Sequence, residues 1–129
     1  MVLAGSALVA ASASVGDLGW QRGFDRTSAL TSPIHTTEAT VARGRGVYLE
    51  RCAPCHGIGG RGDGPLSAAL DPRPADLVLH APQHTDGELY FFVSRGVPGT
   101  AMPVWREALT ETQRWEVVAY LRALSAGRP

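Results

Sequence analysis

The chain has 129 residues and a mass of 13.7 kDa, room for one domain core and not for two. With 44% hydrophobic and 19% charged residues it has globular usage, which excludes a largely disordered chain. Twelve Arg balance twelve Asp and Glu, there is no Lys, and a net charge of zero argues against gripping nucleic acid or anionic lipid through a basic face.

Residues 1–16 come first. Val2 to Gly16 is uncharged and rich in Ala, Ser, Val and Leu, yet shorter than the roughly 20 apolar residues that span a bilayer. It reads as an export signal with a small-residue site at Ala11-Ser12-Ala13, although the first positive residue is only Arg22. It reads equally as the stub of a membrane anchor, and third as a frayed terminus. All three place it outside the folded core. Residues 17–36 mix Gly, Ser, Thr and Asp with Pro33, which predicts a linker or an extended strap over the surface. Trp20 and Phe24 would anchor such a strap, or else stand on a poorly ordered arm.

The first helix is predicted over Thr37–Arg51, with Val41, Gly44, Tyr48 and Cys52 on one face. Gly44 and Gly46 each cost about 1 kcal/mol against Ala in a helix interior. A close crossing by another helix at Gly44 would offset that cost; the alternative is a shorter helix beginning after Gly46. The stretch from Gly57 to His84 is irregular, with five glycines before Pro65 and then Pro72, Pro74 and Pro82. So long a loop in a small domain is expected to wrap something. Thr85-Asp86-Gly87-Glu88 is a capping box that opens a second helix carrying Leu89, Phe92 and Val93, stopped at Gly96 and Pro98. A second box, Thr110-Glu111-Thr112-Gln113, opens a third helix with Val117, Tyr120, Leu121 and Leu124 on one face, Trp115 and Val118 beside them, and Gly127 as its stop. No segment alternates with period 2, so the fold class is all-α. Three such helices make a thin core for this length, which points to a large buried cofactor.

Cys52-Ala53-Pro54-Cys55-His56 supplies the attachment signal for that cofactor, a c-type haem. Two thiols at this spacing add across the two vinyl groups of one porphyrin edge, and the following His turns under the ring to bind iron. Zinc competes for a Cys-x-x-Cys pair but would have to draw its other ligands from His35, His80 or His84, which show no tight pairing. A dithiol redox pair competes too, but its usual βαβ context is missing. For the sixth iron position the candidate is Met102, in Gly99-Thr100-Ala101-Met102-Pro103, where Pro103 favours an extended residue before it. Met102 would otherwise be a gap-filler in the core, and His80 and His84 are rival ligands. Arg73 and Trp105 are candidates for holding a haem propionate, with solvent exposure and core packing as their alternatives.

These motifs resemble the class I cytochromes c, monohaem electron carriers, over about residues 38 to 126, and make residues 37–126 the cytochrome c domain. The resemblance implies three main helices and long irregular loops wrapped around one haem c, covalently held by Cys52 and Cys55 and ligated by His56 and Met102. It implies a crossing of the first and last helices at Gly44 and Tyr48. Gly62-Asp63-Gly64-Pro65 resembles the loop whose Pro carbonyl accepts the Nδ1 proton of the ligating His, a bond that fixes the tautomer. Pro74-Ala75-Asp76-Leu77 and the N-terminal stretch resemble cytochrome domains associated with bacterial membrane proteins. The implied function is single-electron transfer, as a carrier or as the electron-delivery module of a respiratory or other membrane redox system. Its partners would be a redox donor and acceptor, membrane-bound, with no nucleic acid. The site would be periplasmic or outward-facing, tethered through the N-terminus on the anchor reading. The competing function is a catalytic or small-ligand-sensing haem with an open sixth position.

Overall fold

In the computed structural model, which describes residues 15–128, the first predicted helix forms as α2 (Glu38–Arg51). Thr37 caps it: its Oγ1 accepts from the Thr40 amide, and Thr40 Oγ1 accepts from the Thr37 amide in return. Both glycines lie inside this helix, so the shorter alternative does not occur. The last predicted helix forms as α6 (Glu111–Ser125), opened by the Thr110–Gln113 box.

Helices α2 and α6 cross at Gly44. A Cβ there would stand 2.5 Å from the carbonyl carbon of Glu116 and 3.0 Å from Tyr120 Cβ, so only a residue without a side chain permits the approach. Around the crossing, Tyr48 and Tyr120 meet at 5.1 Å between ring centroids, and Ala53, Val93, Val117, Leu121 and Leu124 complete the main core. Each large aliphatic side chain buried there contributes roughly 1.5–3 kcal/mol relative to exposure. The buried Glu116 carboxylate is met by Arg43 Nε of α2 at 2.5 Å, an ion pair across the same crossing.

Helix α5 (Asp86–Arg95) begins at the Thr85–Glu88 box. It packs on α6 through a second cluster of Leu89, Ala81, Trp115 and Val118, with Tyr90 stacked on Trp115 at 4.0 Å. Between α2 and α5 the chain takes only short turns of helix: α3 (Ala53–His56), α4 (Leu77–His80, capped by Asp76), and 3₁₀ turns at Ser67–Ala69 and Ala81–Gln83. Another 3₁₀ turn, Trp105–Glu107, precedes α6. There is no strand among the described residues.

One segment departs from expectation. Residues 15–27 are not extended but form a helix, α1 (Val15–Thr27). Trp20 and Phe24, one turn apart and stacked on each other, meet Phe91 of α5 edge to face and Phe92 at shallow angles, at centroid distances of 4.9–6.2 Å. Those aromatic contacts, made across the fold, override the poor helix propensity of Gly16, Gly19 and Gly23. The uncharged segment read as export signal or anchor stub lies almost wholly outside the described residues. No helix among the described residues is long and apolar enough to cross a membrane.

Candidate haem-binding site

Cys52 closes α2, with its amide donating to the Tyr48 carbonyl, and the next turn, α3, follows without a break. The amides of Cys55 and His56 both bond back to the Cys52 carbonyl, at 3.2 and 2.8 Å. Tyr48 Oη donates to the Gly57 carbonyl at 2.6 Å and ties the end of this turn to the core. The two thiols and the imidazole thus project from one tight, well-anchored turn. The thiols are free, with no disulfide between them. Burial, reinforced by the charge of Cys55, pushes the Cys52 thiol up to about 12. Among the described residues no group of three or more His, Cys, Asp or Glu is arranged to hold a metal ion, so zinc lacks its remaining ligands.

His56 Nδ1 donates to the backbone carbonyl of Ala75 at 3.0 Å, which leaves Nε2 as the free ligand nitrogen. Burial lowers the His56 pKa below the ordinary imidazole value, with the Ala75 bond pulling the other way, so the neutral, metal-binding form is favoured. Here the expectation for Pro65 is corrected. Its neighbours Gly64 and Leu66 donate to the carbonyls of Cys55 and Pro54, which lays that segment along the backbone of the cysteine turn; Pro65 itself is exposed and away from the cavity wall. The Ala75 carbonyl takes its place because residues 60–62 and 74–77 are clasped together. Leu77 donates to the Gly60 carbonyl at 2.6 Å, and a Cβ on Gly62 would strike the carbonyls of Pro74 and Ala75.

Met102 is positioned by the end of α5. Gly96 has φ +66°, in the left-handed region, and a Cβ there would lie 2.6 Å from the Met102 carbonyl oxygen. The loop then turns on Thr100, whose Oγ1 donates to the Val97 carbonyl and accepts from the Met102 amide.

These parts converge on a cavity of about 360 Å³, within the range of small-molecule and cofactor sites. Cys52, Cys55, His56 and Met102 all line it. Most of the remaining wall is apolar, including Leu70, Leu77, Leu89, Phe92, Val93 and Leu121. Arg73 and Trp105 also line it, as do His80 and His84. Arg51 was not singled out from the sequence; its guanidinium lies 5.9 Å from the Trp105 ring centroid, on the same wall. Two thiols, an imidazole with one nitrogen committed to the backbone, and a thioether around one apolar cavity are the donor set and shape that a covalently bound haem requires.

Comparison with known proteins agrees. Residues 39–121, more than half of the chain, match the family described as "Cytochrome C oxidase, cbb3-type, subunit III". Among solved structures, the chain is similar to one from the reducing HAO-like protein complex of Kuenenia stuttgartiensis. The TM-score is 0.64 and the identity 29% over 75% of this chain and 48% of that one, so the match spans about half of that chain's length. No curated protein matches the sequence. With its all-helical cytochrome c fold and its Cys-x-x-Cys-His turn on an apolar cavity, the chain belongs to the family of the cbb3-type cytochrome c oxidase subunit III and is a c-type cytochrome domain.

Proposed function

We propose that this domain transfers single electrons on one haem c attached through Cys52 and Cys55, with His56 and Met102 as the axial ligands. The observation that carries this reading is the convergence of those four side chains on one apolar cavity. The bound haem would supply a one-electron ferric/ferrous couple. The protein's own part is to hold both ligands still and exclude water. His56 is fixed by the Ala75 bond, and Met102 is carried on a loop braced by Gly96 and Thr100. A neutral thioether and an apolar wall favour the reduced state and raise the potential. Arg73 and Trp105, on the cavity wall, are assigned to the haem propionates.

The domain serves as a carrier or as the electron-delivery module of a respiratory or other membrane redox system, with membrane-bound donor and acceptor. The family match and the similarity to a chain of a multi-protein complex support this placement. A periplasmic or outward-facing location goes with covalent haem attachment, and residues 1–16 would be the export signal or tether.

The test is the absorption spectrum of the purified holo-protein. A far-red sulfur-to-iron charge-transfer band in the ferric form, lost in Met102→Ala, is expected. A high-spin ferric spectrum in the unmodified protein, or rapid binding of added cyanide or carbon monoxide, would overturn the carrier reading in favour of a catalytic or sensing haem.

A further inference from the structure

Pro74-Ala75-Asp76-Leu77 has no ligand in it, yet its second residue supplies the carbonyl that takes the His56 Nδ1 proton. That carbonyl belongs to the planar peptide unit joining Ala75 to Asp76, so its direction is set by ψ of Ala75 and φ of Asp76. Ala75 is exposed, and a methyl group at the surface gives the plane little to pack against. The restraint is on the Asp76 side. Asp76 Oδ1 accepts from the Val78 and Leu79 amides at 3.0 and 3.2 Å, which makes it the N-cap of α4. The Leu77 amide, just ahead of these, donates to the Gly60 carbonyl at 2.6 Å. The opening amides of α4 are thus all engaged, and the backbone at Asp76 (φ −73°, ψ 103°) cannot rotate without breaking them.

The other half of the clasp is bound to the cysteine turn. The Gly62 amide donates to the His56 carbonyl at 2.8 Å, and Arg61 Nη1 stands 3.9 Å from Asp76 Oδ2. His56 is therefore held at its main chain by residue 62 and at its ring by residue 75, and Asp76 closes the gap between those two holds. With the Arg61 side chain 61% exposed, that ion pair is a weak surface contact, so the cap hydrogen bonds carry the restraint.

We propose that Asp76 is a positioning residue for the iron ligand: by capping α4 it aims the Ala75 carbonyl at His56 Nδ1, and through that bond sets the tautomer and the donor strength of His56. This rests on the assignment of the cavity to haem and of His56 to its iron. A well-aimed acceptor draws on the Nδ1 proton, makes the imidazole a stronger donor at Nε2 and favours the ferric state. Without the cap the peptide plane swings, water replaces the carbonyl for part of the time, and the ring gives less charge to the metal, so the reduction potential rises. The role belongs to the side-chain oxygen and not to its charge, because the Val78 and Leu79 amides need an acceptor and an Asn oxygen caps as well as an Asp oxygen.

The experiment is NMR of the 15N-labelled ferrous holo-protein, following exchange of the His56 Nδ1 proton, with potentiometry beside it. In the parent protein that proton and the Val78 and Leu79 amides should exchange through one opening, their protection changing in parallel as urea is added. Asp76→Ala should speed exchange of the Nδ1 proton about fivefold, the worth of an ordinary helix cap, move its resonance upfield and raise the potential. Asp76→Asn should restore the protection and the resonance, and its potential should lie nearer the parent's than that of Asp76→Ala. Arg61→Gln should leave the Nδ1 proton unchanged. Amides of the α2–α6 core should keep their parent rates throughout; a loss spread evenly over that core marks a merely structural cap and overturns the proposal. An Nδ1 proton that ignores Asp76→Ala, or an Asp76→Asn protein that behaves like Asp76→Ala, also overturns it. So does a parent protein in which the Nδ1 proton exchanges independently of Val78 and Leu79, a result that needs no variant to fold. A holo-protein whose His56 ring resonances lie at ordinary imidazole positions has no His56 on iron, and overturns the ligand reading together with the proposal.

Discussion

Replacing Gly44 by Ala adds one methyl group at the closest approach in the core. The new carbon would fall inside the van der Waals shell of the Glu116 carbonyl oxygen, 2.5 Å from its carbon and 3.0 Å from Tyr120 Cβ. The obstacle is helix backbone, which cannot rotate aside, so α2 and α6 must part by more than an ångström. That loosens Tyr48, Tyr120, Val117 and Leu121 together. Overpacking a well-filled core costs about 1–3 kcal/mol, and rigid backbone places this site at or above the top of that range. Ala returns about 1 kcal/mol through helix propensity. The net expectation is a loss of about 2 kcal/mol. Gly46, two residues along the same helix, has nothing within 4 Å of its Cβ position, so Gly46→Ala should gain about 0.5–1 kcal/mol. The two substitutions are chemically identical and differ only in what the methyl meets. Urea unfolding of the two holo-proteins, followed by circular dichroism, should separate them by about 3 kcal/mol. A Gly44→Ala protein as stable as the parent, or equal losses at both positions, would refute the crossing as described.

Four other outcomes follow from the same geometry. Tyr48→Phe leaves the Gly57 carbonyl without its 2.6 Å donor and should cost about 1–2 kcal/mol in denaturant unfolding, while Tyr120→Phe, whose hydroxyl has no such bond to the haem turn, should cost less. Arg43→Ala strands the buried Glu116 carboxylate and should cost about 1–2 kcal/mol; thermal melts should show Arg43→Ala/Glu116→Leu recovering part of the loss. Trp20 Nε1 is buried with no hydrogen-bond partner, so Trp20→Phe should be nearly neutral by thermal melting. Trp20→Ala, which removes the ring packed against Phe91 and Phe92, should destabilise by about 1–2 kcal/mol. Finally, a cavity of about 360 Å³ at the centre of a small core cannot close without loss of packing, so protein made without haem should lose most of its helical circular dichroism signal, and retention of native helicity would contradict this.

What the sequence made legible was what local chemistry specifies. Two capping boxes marked the starts of α5 and α6, Gly44 marked the helix crossing, and the Cys52-to-His56 run marked the cofactor turn. Its omissions share a different cause. The acceptor of the His56 proton is a backbone carbonyl, which any residue can supply, so nothing in the side chain of Ala75 announces it. Arg51 meets the cavity beside a ring that is distant in sequence, that of Trp105. For α1 a signal did exist: Trp20, Gly23, Phe24 and Thr27 have the helical spacing of one face. The surrounding mixture of Gly, Ser, Thr and Asp with Pro33 reads instead as a linker or strap. In the fold, Gly23 is the thin spot over Phe91, with its Cβ position only 3.0 Å from that ring.

Helix α5 carries load on both sides. Phe92 walls the cavity and also meets α1, and the carbonyls of Thr27, Ser28 and Leu30 close around Gly87, where Thr85 donates to Ser28. Tension applied at Val15 would therefore run through the Trp20–Phe24 stack into the cavity wall before it reached the α2–α6 crossing. A cut at Thr37 would strip the cover from Phe91, now 2% exposed, and turn a buried seam into an adhesive surface. The mechanical unit is thus longer than the stretch that resembles a cytochrome c, and among the described residues an indole ring is its first aromatic anchor.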